Sequence, residues 1–275
     1  MVGRIMVCTA GVSIAALLPC PTTAQRLELP SRSPSAVSGS EFALAMAGLG
    51  VEARDDRIVS EILRGNVPEW LRGLSPVRVG TVRGSVVEIR VTPDYLAVGS
   101  DSDYLLVPMT PQAAQRIADE LEMSLPTPAL VDAIWAGAAL KLNPEPIPPS
   151  PEMTTMPVFL RHSLAVRSQR EHASTPMGSL VSGHKKDIVV CQSLAATTGR
   201  VAIYGWHKAD GEPIQPLYLG HTDRWVDYSH GVRLVSRAIS VGGETMDLWD
   251  ALRDPALARL LSREGVVDHP WYAWR

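Results

Sequence analysis

Between Asn143 and Pro157 the chain reads NPEPIPPSPEMTTMP, with six prolines in this one stretch. Proline has a fixed φ and no amide hydrogen, so the stretch can form neither a helix interior nor a central strand. It is a semi-rigid connector without periodicity. The fold must therefore be assembled from an N-terminal portion, residues 41–142, and a C-terminal portion, residues 158–275. The connector either separates two domains or crosses the surface of one. One domain with two lobes is expected.

Before the connector, helical periodicity starts at Glu41, and a second helix covers Asp56–Leu63 with Gly65-Asn66 as its C-terminal stop. Residues 25–40 are polar and rich in Ser and Pro, which predicts a flexible lead-in. From Val77 to Val107 the β-branched residues predict sheet, with a turn at Arg83-Gly84 and a hairpin tip at Gly99–Asp103. Thr110-Pro111 and Thr127-Pro128 each place an N-cap before a proline suited to the first helical position.

After the connector, Val158–His172 predicts a helix with Arg161, Arg167 and Arg170 on its polar side. His162 and His172 are expected at the surface or as caps. Strands follow at Asp187–Val190, Val201–Tyr204 and Val232–Val241, and helical segments over Leu248–Leu261 break at Asp254-Pro255. The predicted class is α+β, with mixed helices and a mainly antiparallel sheet.

Residues 1–24 form an expected signal peptide: Arg4 precedes the apolar run Ile5–Pro19, and Thr22-Thr23-Ala24 supplies small residues before a cut at Gln25. Secretion or export to a periplasm follows, with no membrane span after cleavage. Cys8 and Cys20 leave with that segment, so Cys191 remains alone and is expected as a small buried hydrophobe. The net charge of −3 gives no electrostatic case for nucleic acid.

Val201–Val235 holds three of the seven histidines, His207, His221 and His230, together with Tyr204, Trp206, Tyr218, Trp225 and Tyr228. Histidines among aromatics suit an active site better than a packing core. If Asp227-Tyr228-Ser229-His230 is extended, Tyr228 shares a face with His230 and Asp227 with Ser229. Ser229 then needs a different histidine, His207 or His221, to serve as a nucleophile, and no Gly-x-Ser-x-Gly elbow is present.

Two other chemistries fit the same residues. Zinc could be held by His207, His221 and His230 with Asp187 or Asp227, leaving an open position. Alternatively, His184, Lys185, Lys186 and Arg233 place positive charge near Gln215, Tyr228 and His230. Such charge with a proton-shuttling His or Tyr suits eliminative cleavage of an acidic polysaccharide. A Lys-Lys pair is also a common solvated turn.

The segments Leu63–Pro68, Gly183–Asp187, Tyr204–His207 and Asp227–Gly231 together resemble a family of uncharacterised exported bacterial proteins. The resemblance implies bacterial export and carries no activity.

The expected function is a secreted hydrolase-like enzyme acting on an extracellular or cell-wall polymer, either glycan or peptidoglycan. His230 is the principal acid/base, with Tyr228, His207, His184, Asp227 and Ser229 around it. Lys185, Lys186, Gln215, Arg233, Trp206 and Trp225 hold substrate. A His/Tyr polysaccharide lyase and a non-catalytic glycan-binding module are the alternatives.

Overall fold

The structure is a computed structural model that describes residues 25–273. The expected signal peptide, residues 1–24, lies outside the described residues.

The chain is an α+β fold. Helix α1 (Gly39–Ala45) starts from a capping box in which Ser38 Oγ accepts from Glu41 N and Glu41 accepts from Ser38 N. Helix α2 (Val51–Leu63) begins five residues earlier than its apolar pattern predicts, and it buries Ile58, Val59 and Ile62. Strands β1 (Ser75–Val82) and β2 (Ser85–Val91) form the predicted hairpin, and β3 (Ala97–Gly99) and β4 (Tyr104–Leu106) form the next. Both Thr-Pro devices work as read. Thr110 caps α3 (Pro111–Glu120) and Thr127 caps α4 (Pro128–Gly137), on either side of the short β5 (Met123–Ser124).

Strand β6 (Leu140–Lys141) leads into the connector and pairs in parallel with β7 (Val181–Ser182). Helix α5 (Met156–His172) fills the space between them in sequence. A four-stranded sheet follows, built from β8 (Lys186–Ile188), β9 (Ile203–His207), β10 (Pro213–Tyr218) and β11 (His230–Gly231), in the order β10-β9-β8-β11. The chain then adds β12 (Val235–Ser236), β13 (Ala238–Val241) and β14 (Glu244–Asp247) before α6 (Leu248–Arg253) and α7 (Pro255–Leu261).

The two portions share one framework. β2 pairs with β1 and also with β12 and β13 from beyond the connector. The main apolar cluster likewise mixes residues from both sides, from Phe42 and Ile62 to Ile203, Val232 and Leu234. The connector crosses the surface of this single body: Tyr228 N donates to Met153 O, and the Tyr228 hydroxyl meets Ile147.

Two expectations are corrected here. The lead-in is docked, because the buried Arg72 guanidinium donates to the carbonyls of Leu29, Pro30 and Gly65, and Leu27 is buried. His162 is buried in the core instead of lying on the surface, while His172 is exposed and meets Ser168 O. Helix α5 is enclosed on more than one side, so its polar residues do not all find solvent.

Candidate functional site

Two short strands bring the singled-out segments together. β8 and β11 run parallel, with Lys186 opposite His230 and Asp187 opposite Gly231. β9 pairs with the other edge of β8, placing Gly205 opposite Lys186, and β10 places Gln215 opposite Gly205. One row across the sheet therefore contains Gln215, Gly205, Lys186 and His230. Gly231 is required beside it: an added Cβ would lie 2.6 Å from the Tyr95 ring and 2.8 Å from Lys185 Cβ.

β9 is irregular at its centre. Gly205 has φ 104° and Trp206 has φ 58°. A bulky residue in the left-handed region is uncommon and costs on the order of 1–3 kcal/mol. Trp206 N donates to Lys185 O at 3.1 Å, which helps hold this conformation. The kink breaks the alternation of side chains. Tyr204 and His207 both reach Asp132 on α4, whereas Trp206 meets Lys186 and Tyr228.

Asp227–Ser229 is a turn, closed by His230 N donating to Asp227 O at 3.2 Å, so the extended geometry expected for this run does not form. The turn places Asp227 Oδ2 3.8 Å from His230 Nε2. Asp227 Oδ1 accepts from the amide and hydroxyl of Ser229 at 2.8 and 2.5 Å, and Oδ2 accepts from the Trp225 indole at 3.2 Å. His221 stacks on Trp225 with ring centroids 5.2 Å apart and lies 6.5 Å from the His230 ring. Lys186, His221 and Trp225 are half-buried and extend the cluster towards solvent.

His230 is 1% exposed, and neither ring nitrogen has a hydrogen-bond partner among the described residues. Burial pushes its pKa down to about 4 against the pull of Asp227, so the ring is neutral at pH 7. Burial would raise Asp227, but His230, the Ser229 hydrogen bonds and Lys186 outweigh it and hold the carboxyl at about 2. The pair is a neutral imidazole beside a carboxylate.

Several expected roles change. The Tyr228 hydroxyl accepts from Ile147 N at 2.6 Å and faces Ile147 O, while its ring lies against His162. It is committed to the connector and does not stand beside His230. The Ser229 hydroxyl donates to Asp227 and meets no histidine, so no serine triad forms. His207 Nε2 is 3.1 Å from Asp132 Oδ1, in a separate cluster completed by Tyr204 and Arg263.

Arg233 is fully buried and donates to the carbonyls of Thr92 and Val181 at 2.7 Å each, so it fastens backbone and does not face substrate. Asp187 accepts from the Tyr95 hydroxyl at 2.8 Å, and burial raises its pKa to about 6 against Arg233 and Tyr95. Lys185 is buried rather than a solvated turn. Its Nζ donates to Tyr228 O, and burial lowers its pKa to about 7. Trp206 is buried and Trp225 half-buried, while the Gln215 amide donates to Pro216 O. Cys191 is buried as expected, which pushes its thiol up to about 12.

The zinc set His207, His221, His230 and Asp187 does not assemble, because Asp132 takes His207 and Tyr95 takes Asp187. Among the described residues no group of three or more His, Cys, Asp or Glu side chains is placed to hold a metal ion.

Sequence reasoning missed the charged layer beneath the site. Asp94 is buried between Arg170 at 2.7 Å and His184 Nε2 at 3.0 Å. Its neighbours Thr92-Pro93 and Tyr95 carry only a strand signal. Asp132, the anchor of His207, is the one charged residue of the otherwise apolar α4, and that isolation is the signal that could have found it.

Comparison with protein-family models, curated proteins and solved structures gives no match. Among the described residues no helix is long and apolar enough to cross a membrane. The molecule is thus an α+β protein whose central feature is a sheet-borne histidine–aspartate pair beside a half-buried lysine.

Proposed function

We propose that the protein is an exported hydrolase that cleaves acyl bonds, amide or ester, in a cell-wall or extracellular polymer. The observation that carries this reading is His230: a buried neutral imidazole whose ring nitrogens have no hydrogen-bond partner among the described residues, 3.8 Å from an ionised carboxylate. A buried polar atom left unpaired costs about 1–3 kcal/mol. Water or a substrate atom that binds to the ring removes this cost in the working complex.

His230 accepts a proton from water as that water attacks an acyl carbon, and Asp227 stabilises the imidazolium that forms. The proton then passes to the leaving group. Hydrolysis of glycosidic bonds usually employs two carboxyl groups. Asp227 is the carboxylate beside His230, and its oxygens accept from Ser229 and Trp225, which favours the acyl bond. The His/Tyr lyase loses its tyrosine to Ile147.

The test is incubation of the purified protein with insoluble peptidoglycan and with soluble acidic polysaccharide, following newly released amino, carboxyl and reducing groups. New amine or carboxyl ends that vanish with His230→Gln support the proposal. Release of reducing ends alone, or of nothing, overturns it.

A further inference from the structure

Among the described residues, Lys186 is the cation of this cluster that no side-chain hydrogen bond fastens to the fold. Lys185, its neighbour, is fully buried and hydrogen-bonded to Tyr228 O, and Arg233 is held by two carbonyls. Lys186 lies on β8 opposite His230, with its ammonium 5.0 Å from the centre of the Trp206 ring. Among the described residues no oxygen accepts a hydrogen bond from it. The carboxylate that pulls on it is Asp227, whose oxygens already accept from Ser229 and Trp225. It lies amid the residues of the proposed reaction, as the register partner of His230, whose ring is 6.5 Å from that of His221.

The half-buried Lys186 ammonium still reaches solvent, so an arriving anion can offer it charge-assisted hydrogen bonds from its own oxygens. The ring of Trp206 holds the cation without neutralising it. A charge so placed discriminates between ligands more strongly than a solvated surface lysine, because solvent screens it less.

We propose that Lys186 binds a carboxylate of the substrate next to the bond that His230 attacks, and that the substrate is a carboxylate-bearing peptide portion of a wall polymer. The inference rests on the acyl-hydrolase reading for its choice of peptide. The same carboxylate chemistry occurs in uronate sugars, and the experiment separates the two sources.

Binding is measured calorimetrically with the His230→Gln variant, so that turnover plays no part. The probes are disaccharide-peptide fragments of peptidoglycan with free carboxyl groups, the same fragments with those groups amidated, and uronate trisaccharides with their methyl esters. The free-acid peptide should bind at least about tenfold more tightly than the amide. Adding Lys186→Met should abolish that preference, and Lys186→Arg should restore part of it.

Equal affinity for acid and amide overturns the proposal, as does a preference that survives Lys186→Met. So does an absence of binding by any probe. Lys186-dependent binding of the uronate alone overturns the peptide assignment. The acid–amide comparison needs no change at Lys186, so it remains decisive if Lys186→Met fails to fold. Lys186-dependent peptide binding together with no turnover by the unaltered protein would remove the hydrolase and leave the carboxylate site standing.

Discussion

His230 and Lys186 are register partners across the parallel pair of β8 and β11, although they belong to separate segments of the chain. That pairing sets a base and a cation side by side. Lys186 N donates to Ser229 O at 2.8 Å, so the turn that delivers His230 is tied to the strand that carries Lys186.

His230→Gln should lower turnover by about 10²–10⁴-fold, the range typical of a lost general base. Glutamine has similar bulk and can hydrogen-bond, so the melting temperature should change little. Turnover within threefold of the unaltered protein would show that His230 is structural.

The pH profile follows from the same ring. kcat/KM should rise with pH through about 4, as His230 loses its proton, and then level off. An acidic limb centred near the ordinary histidine range would mean that His230 is exposed in the working enzyme.

Stability should fall on the acid side for a related reason. His162, lowered to about 2, and His230, lowered to about 4, are both buried and neutral in the fold, while in the unfolded chain each takes a proton near 6.5. Their contribution is present above 6.5 and lost as pH falls from there towards 4, at up to about 1.4 kcal/mol per pH unit for each group. Asp187, raised to about 6, works in the opposite direction, since the fold holds its proton more tightly between about 4 and 6. Asp55, also raised to about 6 by burial, acts like Asp187, while His184 and His221, likewise lowered by burial, side with His162 and His230. Four histidines outweigh two carboxyls, so denaturant midpoints should decline from pH 6.5 to 4. His162→Phe should flatten that decline.

Asp94→Ala should destabilise the protein by about 3–5 kcal/mol, because it leaves Arg170 buried without its anion and removes the acceptor of His184. Chemical denaturation measures this directly. A loss below about 1 kcal/mol would mean that Arg170 finds another acceptor.

Gly231→Ala should cost about 1–3 kcal/mol through overpacking, since neither the Tyr95 ring nor the Lys185 stem has room to retreat. It should also reduce turnover, because His230 is the preceding residue. A variant with unchanged melting and turnover would show that β11 can shift without disturbing the site.

The local devices were legible in the sequence for reasons of covalent geometry. Thr110-Pro111 and Thr127-Pro128 cap helices because a hydroxyl and a fixed φ act within one turn. Arg83-Gly84 turns the β1–β2 hairpin, and Asp254-Pro255 divides α6 from α7. His230, Asp227 and Lys186 were identified from their residue types and from neighbouring aromatics.

Their companions were assigned less well, because a partner far along the chain decides what each side chain does. Tyr228 appears in the same run as His230, yet a turn sends its hydroxyl to Ile147. His207 shares a segment with His230, but the left-handed pair Gly205-Trp206 directs it to Asp132. Lys185 and Lys186 are adjacent residues with opposite fates, one tied to a carbonyl in the interior and one facing the histidine.

Sequence by itself determined most of the helices, the Thr-Pro caps, the β1–β2 turn and the α+β class, since these depend on φ, on missing amide hydrogens and on apolar spacing over a few residues. Tertiary structure alone decided which charged groups are interior struts and which remain for a ligand. Burial and hydrogen-bond satisfaction are properties of the whole fold: Asp94 became the acceptor of Arg170 and His184 only when α5 and the connection between β7 and β8 closed over it.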